Sequence, residues 1–352
     1  MALPATQKAI VIQGPGVSEL VTDRPIPKLR DDYILVKTVA VGLNPTDWKH
    51  VDYLVKDAGP LVGCDYAGIV EAVGPAVTKP FKKGDRVCGV AHGSNAVQPE
   101  DGTFAEYIVA KGDLQIKIPD NMSFEEAATL GVSVSTVGQS LYQTLGLALP
   151  SQPSKDATPV LIYGGSTATG ILAIQYAKLS GYKVLTTCSP HNNELVKSLG
   201  ADVVFNYNDP DCAAQIRKYT DDKLIIAFDT ISLPDSAKIC EEALASPSPA
   251  GATLKYHSLL PVKISREDVK ATHSLAYTAI GEAFKFGPQA MPAKEEDFHY
   301  AVKFWDLSRE LFNSGKLKVS PMQVGQGLEG VLDGLQALKA NKVSGKKLVY
   351  KI

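Results

Sequence analysis

Residues 160–192 read VLIYGGSTATGILAIQYAKLSGYKVLTTCSPHN. Val160 to Tyr163 form a short apolar run; Gly164 and Gly165 break it, and an apolar pattern of helical period follows from about residue 170 to 180. Gly181 ends that pattern, and a second short run, rich in Val, Leu and Thr, leads into Ser-Pro-His-Asn. Strand, glycine turn, helix, strand is the grammar of a βαβ unit. The pattern continues. The runs VVFNY, LIIAFDT and ATLKYHSLL alternate with helical patterns at about 192–199, 211–220 and 234–245. Strands separated by helices in this way predict a doubly wound parallel sheet.

A turn between the first strand and first helix of such a sheet points several backbone N–H groups at one spot, backed by the positive end of the helix dipole. Diphosphate fits that spot. Gly164, Gly165 and Gly170 allow the close approach, while Ser166, Thr167 and Thr169 add hydroxyls around Ala168. The motif is not a strict G-x-G-x-x-G, because GGSTATG lacks the middle glycine, but its place after a strand and before a helix supports a dinucleotide site. A carboxylate at the end of the second strand would bond the ribose 2′-hydroxyl of NAD and repel a 2′-phosphate. That place holds Ser189, Pro190, His191 and Asn192 instead, with Tyr207 at the end of the third strand as a further donor. NADPH is therefore the expected cofactor. Asn192 also suits the N-cap of the next helix, and the two roles are compatible.

The rest of the chain bounds this reading. With 352 residues and 45% apolar content, there is material for two domains with cores of their own. A formal charge of -2 and a pI near 6.3 give no field for nucleic acid or an anionic membrane. The N-terminus lacks a signal-peptide pattern, and no apolar run is long enough to span a bilayer, so a soluble, cytoplasmic protein is expected. The five cysteines are scattered and never spaced C-x-x-C, which predicts buried, reduced thiols rather than a disulfide framework. The first third is β-rich: KAIVIQG, YILVKTVAVGL, AGIVEAVG and DRVCGV are short strands in a barrel-like sheet. Ser123 and Glu126 form a capping box that opens a helical segment leading toward Leu145, and LPSQPSKDATP is a connector. At the tail, LEGVLDGLQALKA predicts a helix whose Leu328, Val331, Leu332, Leu335 and Leu338 face the core, before a last strand KKLVYKI. His92 and His257 have no partners at ligand spacing and are expected to be structural.

The segment GCDYAGIVEAVGPAVTKPFKKGDRV, Gly63 to Val87, resembles the signature of the medium-chain dehydrogenase/reductase superfamily. VGLNPTDWK before it, DGTFAEYIVA after it and GLQALKANKVSGKKLV near the end extend the likeness over nearly the whole chain. The resemblance implies an α/β protein in two domains. A barrel-like, GroES-like catalytic domain would comprise residues 1–134 and 295–352, and an NADPH-binding Rossmann domain residues 135–294. Zinc alcohol dehydrogenases of the superfamily carry Cys where this chain has Asn44 and a His-Glu pair where it has Cys64-Asp65. An amide is a poor substitute for thiolate on zinc, and AHGSNAVQPEDGTF lacks the cysteines of the structural zinc lobe, so no metal is expected. Without a Lewis acid, reduction of a conjugated C=C remains feasible: hydride adds at the β-carbon, and fixed donors stabilise the enolate.

Within the superfamily, GLNPTDWK, GVSVSTVGQSLYQ, YGGSTATG, TTCSPHN and VSGKKLV resemble the trans-acting enoyl reductases of fungal polyketide synthases, of the lovastatin type. Such proteins serve a synthase whose own reductase domain is inactive and reduce an unsaturated chain held on its acyl carrier protein. By this resemblance Thr46, Asp47, Trp48 and Lys49 line the nicotinamide side, Ser166 to Thr169 take the diphosphate, and Ser189 to Asn192 with Tyr207 take the 2′-phosphate. Ser258, Leu259, Val343 and Ser344 complete the cofactor set. Val137, Gly138, Gln139, Ser140, Leu141, Tyr142, Gln143 and Thr144 border the acyl chain, and Ile280, Gly281, Glu282, Ala283 and Phe284 form another wall. Lys49 and Thr136 are the candidate catalytic donors; no dedicated proton donor stands out. A monomer is implied, although many quinone reductases of the superfamily dimerise. Two alternatives remain: a free-standing NADPH-dependent quinone or enone reductase, and a non-catalytic nucleotide-binding partner protein.

Overall fold

A computed structural model describes residues 3–352, which form two compact units. The first comprises the described residues up to Ser135 with Tyr277–Ile352, and the second Thr136–Ala276. The chain returns to the first unit at Tyr277, so residues 277–294, assigned by the sequence reading to the Rossmann domain, fold with the first unit.

The second unit is a six-stranded, all-parallel sheet. Its spatial order is Val203–Phe205, Lys183–Thr187, Pro159–Tyr163, Ile226–Asp229, Leu254–Ser258 and Val269–His273. In chain order that is 3-2-1-4-5-6, the doubly wound arrangement whose order reverses beside the first strand. Val160, Leu161 and Ile162 are fully buried, as a strand covered on both faces must be. The helices Ala168–Leu179, Asn193–Ser198, Cys212–Tyr219 and Pro234–Ala243 lie where the apolar period places them. The sixth strand, which starts in a polar stretch, has no such signature.

The first unit is built on a seven-stranded sheet of mainly antiparallel pairs. Its central strand, Tyr33–Gly42, pairs with Asp65–Val73, Tyr107–Lys111 and Lys347–Lys351. A hairpin of Thr6–Gly14 and Val17–Pro25 forms a separate two-stranded sheet, with isolated bridges from Ala9 to Ala105 and from Val11 to Leu61. Ile10, Ile34, Val36, Tyr66 and Phe104 fill the core. The helix Gly327–Lys339 covers it with Leu328, Val331 and Leu335 buried and Leu332 and Leu338 packed alongside, as its pattern predicts. The capping box is present: Ser123 Oγ accepts from the Glu126 amide at 3.1 Å and Glu126 accepts from the Ser123 amide at 2.8 Å. The nineteen-residue helix Glu295–Asn313 is absent from the sequence reading, although Ala301, Phe304, Trp305, Leu311 and Phe312 mark its buried stripe. All five cysteines are free and buried, and no helix among the described residues is long and apolar enough to cross a membrane.

Candidate functional site

In the second unit, the glycine turn lies at the point where the strand order reverses. Gly164 has φ +83°, in the left-handed region open to glycine, and a Cβ there would lie 2.5 Å from Thr230 Oγ1. A Cβ on Gly170 would lie 2.2 Å from the Gly164 carbonyl oxygen, so this glycine lets the helix sit on the strand. Thr167 caps the helix, accepting from the Gly170 amide at 2.9 Å and donating to the Gly164 carbonyl at 2.9 Å. Its hydroxyl is thus committed internally and is not a free phosphate donor, contrary to the sequence expectation. The half-buried Ser166 and Thr169 hydroxyls remain for that role, with the first-turn amides of Ala168 and Thr169, which have no intrahelical acceptor.

Past the second strand, Ser189 and Tyr207 come together, with their hydroxyl oxygens 2.8 Å apart. They are separated by 18 residues in the chain and joined because Val203–Phe205 pairs in parallel with Lys183–Thr187. Pro190 and His191 are exposed beside them. Asn192 is buried, with its amide nitrogen 3.2 Å from His191 Nε2; it occupies the N-cap position of the next helix without a capping bond from its side chain. Ser258 donates to the Leu260 carbonyl at 2.7 Å, and Leu259 donates its amide to Ser232 Oγ at 2.8 Å, so both serve their own loop.

The stretch expected to border an acyl chain forms a π-helical turn, Gly138–Thr144, after the helix Gly131–Val137. Thr136, Val137 and residues 138–142 are buried, whereas Gln143 and Thr144 are exposed. Ser140 Oγ lies 3.3 Å from Ser274 Oγ. The Tyr142 hydroxyl pairs with Ser180 at 2.9 Å, and its ring packs edge-on to Tyr176; it is core, which corrects its assignment to the substrate border. His257 is fully buried between Thr272 at 2.9 Å and Ser274 at 3.2 Å, a structural histidine.

In the first unit, the short helix Pro45–Lys49 carries the nicotinamide-side candidates. Thr46, Trp48 and Lys49 are half-buried, and the Lys49 ammonium lies 5.8 Å from the Trp48 ring centroid; desolvation draws its pKa below the ordinary lysine value. Asp47 is different. It is wholly buried and accepts from the Asn44 amide at 2.7 Å, closing a capping box, so it does not face a cofactor as the sequence reading expected. Burial pushes its carboxyl up to about 7, with Asp65 adding to the rise and bonds from the Asn44 amide and Cys64 opposing it. Such a group holds a proton in the fold that the unfolded chain has released, so its stabilising contribution is present at low pH and is lost as pH rises from about 4 to 7. Asp47→Asn is therefore expected to flatten this dependence. Between pH 5 and 7, the stability gap between variant and wild type should change by about 1 kcal/mol per pH unit in urea titrations. Parallel curves would show that this carboxyl does not titrate there.

The positions that correspond to zinc ligands hold a different device. The ammonium of Lys347 is buried and bonded to Asp65, to Asn44 Oδ1 at 3.0 Å and to the Thr129 carbonyl at 3.2 Å. Asp65 uses its other oxygen to accept from the Val132 amide at 2.6 Å. Burial holds the Cys64 thiol well above its usual pKa, so it is protonated rather than a thiolate. A fixed cation, an amide and a thiol do not fit Zn²⁺, which would be repelled by the ammonium and find no thiolate. Purified protein is expected to carry no stoichiometric zinc by elemental analysis, and added zinc should not raise activity.

The wall candidates in this unit are mixed. Ile280 and Phe284 are buried, Gly281 has φ +77° and packs against Phe298, and Ala283 is exposed. Glu282 accepts from the Tyr33 hydroxyl and from Lys111 Nζ, each at 2.8 Å, so its carboxylate is tied into an ionic cluster rather than free for substrate. Val343 is half-buried against the core, and Ser344 is exposed. Sequence reasoning missed a polar chain in this unit. Thr46 Oγ1 lies 2.6 Å from the Tyr277 hydroxyl and 3.2 Å from His50 Nδ1. Thr46 and Tyr277 are 231 positions apart, and no spacing rule links them.

Comparison with known proteins agrees with this architecture. Residues 30–120 match the family model for the alcohol dehydrogenase GroES-like domain, and residues 168–253 match that for zinc-binding dehydrogenase. The trans-enoyl reductase TOXD of Cochliobolus carbonum is 60% identical over 278 residues, covering 79% of this chain and 92% of that protein. The trans-enoyl reductase resD of Aspergillus sclerotiorum is 49% identical over 361 residues, covering 98% of this chain and all of that protein. In fold, the quinone oxidoreductase of Pseudomonas syringae pv. Tomato DC3000 superposes with a TM-score of 0.77 at 24% identity, over 98% of this chain and 100% of that one. With both halves of the architecture matched and a trans-enoyl reductase 49% identical over 98% of this chain, the chain belongs to the trans-enoyl reductase family of the medium-chain dehydrogenase/reductase superfamily.

Proposed function

We propose that this protein reduces the α,β-double bond of a polyketide thioester carried on the acyl carrier protein of a partner synthase, in secondary-metabolite biosynthesis, with NADPH as reductant. The observation that carries this reading is the Lys347–Asp65–Asn44 cluster, in a chain whose relatives are trans-enoyl reductases. A buried ammonium leaves no residues to polarise an alcohol through a metal, whereas conjugate reduction needs a hydride donor and fixed hydrogen-bond donors. NADPH, when bound, supplies the hydride to the β-carbon. The residues do the rest. The Ser166 and Thr169 hydroxyls, with the Ala168 and Thr169 amides, hold the diphosphate, and Ser189 and Tyr207, with His191 and Asn192, hold the 2′-phosphate. Lys49 and Thr136 are donors for the carboxamide or for the oxygen on which enolate charge collects. The second unit is the cofactor-binding domain, and a monomer suits the role.

NADPH oxidation should be followed with an enoyl thioester on a pantetheine arm or carrier protein, and with a simple enone and a quinone. The thioester is expected to give a kcat/KM at least about 100-fold higher, equivalent to about 2.7 kcal/mol of transition-state binding. A preference for the quinone or enone would favour a free-standing reductase. Binding without oxidation of any substrate would leave only a nucleotide-binding partner protein. In the same assay Lys49→Ala should lower kcat well beyond any change in KM, and a near-normal rate would make Lys49 a surface residue.

A further inference from the structure

The first unit holds a hydroxyl pair that the proposed function does not use. Thr46 Oγ1 is 2.6 Å from the Tyr277 hydroxyl and 3.2 Å from His50 Nδ1. The same Nδ1 is 2.9 Å from the Thr46 carbonyl oxygen, which only accepts, so Nδ1 carries the proton. Burial draws this imidazole down to about 4, which keeps it neutral in that tautomer. The Tyr277 phenol has two possible acceptors, Thr46 Oγ1 at 2.6 Å and Cys64 Sγ at 3.8 Å. Oxygen is both nearer and the stronger acceptor, so the phenol donates to Thr46.

The single Nδ1 hydrogen goes to the nearer Thr46 carbonyl, so Thr46 Oγ1 receives the phenol alone; Nδ1, already protonated, is no acceptor, and the Thr46 hydrogen points away from both neighbours. The donor is interior and its acceptor is not: Tyr277 is buried, whereas Thr46 is half-buried. The phenol has little freedom. Its ring stacks on His92 at 4.2 Å and 24°, meets His50 edge-on at 5.1 Å, and leans on Phe284 at 6.1 Å. Burial also holds its pKa well above the ordinary tyrosine value, so it stays a donor.

We propose that Tyr277 is a positioning residue that aims the Thr46 hydroxyl outward as a donor to the carbonyl oxygen of the substrate, where charge collects during reduction. The inference rests on the enoyl-thioester reading and names a donor for it. In balance, hydride adds to the β-carbon, the π pair moves to the carbonyl oxygen, the Thr46 hydrogen bond strengthens there without transferring its proton, and water protonates the α-carbon. A preorganised donor acts in the transition state more than in binding, which separates it from a merely structural bond.

The test uses the full chain with saturating NADPH and an enoyl pantetheine thioester, comparing Tyr277→Phe, Thr46→Val, Thr46→Ser and the Tyr277→Phe/Thr46→Val double variant. Tyr277→Phe is expected to lower kcat roughly tenfold, with thioester KM and NADPH Kd within about twofold of wild type. Thr46→Val should cost at least as much, the double variant should be no slower than Thr46→Val, and Thr46→Ser should retain most of the rate. A wild-type kcat in Tyr277→Phe, losses that multiply in the double variant, or a loss confined to NADPH affinity would overturn the proposal; the last would place the Thr46 hydroxyl on the cofactor. Should Tyr277→Phe fail to fold, the contrast between valine and serine at position 46 decides in the same way. Absence of thioester reduction by the wild type would sink the functional reading together with this inference, whereas an active wild type with an unaffected Tyr277→Phe sinks this inference alone.

Discussion

Replacing Lys347 with methionine is expected to destabilise the first unit by about 3–5 kcal/mol, the range for breaking one side of a buried ion pair. Lys347 gives its ammonium protons to Asp65, Asn44 Oδ1 and the Thr129 carbonyl, so every donor is satisfied and the charge is matched. Asp65 is fully buried, and without the lysine its carboxylate retains only the Val132 amide and a share of the local field. It must then stay charged without a counter-ion or take up a proton, and either route costs free energy. Asp65→Asn in the same chain removes the stranded charge, so the double variant should be more stable than the sum of the single losses implies, by 1 kcal/mol or more. Both tryptophans, Trp48 and Trp305, lie in the first unit, so their fluorescence during urea unfolding reports on it. A loss below about 1 kcal/mol for Lys347→Met would show that the pair barely offsets its own desolvation.

Ser189→Asp is expected to raise the Kd for NADPH about 100-fold while leaving that for NADH within a few-fold, a difference of about 2.7 kcal/mol. The wild-type site offers a hydroxyl pair, Ser189 and Tyr207, 2.8 Å apart at the end of the second strand, with His191 exposed alongside. Hydroxyls donate to a phosphate, whereas a carboxylate there repels it and accepts from a ribose hydroxyl instead. The penalty should shrink as salt is added, because the site is open to solvent on one side. Tyr207→Phe removes one donor without adding charge and should cost NADPH far less, roughly three- to tenfold. Equal losses for the two coenzymes in Ser189→Asp would mean that the extra phosphate is held elsewhere.

Local chemistry made much of this protein legible. The parallel sheet follows from apolar runs such as VLIY and from the helices between them, because both signals are periodic within a dozen residues. The capping box at Ser123 and the core face of Gly327–Lys339 were readable for the same reason, since each depends on neighbours three or four positions apart. The juxtaposition of Ser189 and Tyr207 follows from strand order once the fold class is known. The helix Glu295–Asn313 was within reach, because its stripe is regular.

The errors share a cause. Asp47, Thr167, Tyr142 and Glu282 have the polar atoms a ligand site needs, and each spends them on its own protein: a capping box, a helix cap, Ser180, and a cluster with Tyr33 and Lys111. Residue type shows that a group can bond, but only the surrounding packing shows whether its bonds are already taken. Lys347 filling the place of a metal, and Tyr277 meeting Thr46 from 231 residues away, belong to the same class. The sequence by itself determined the two-unit α/β plan, the glycine turn and the missing acid, all set by residues near in the chain. The tertiary structure alone decided which polar groups remain free to act, because that depends on contacts between segments that local periodicity does not encode.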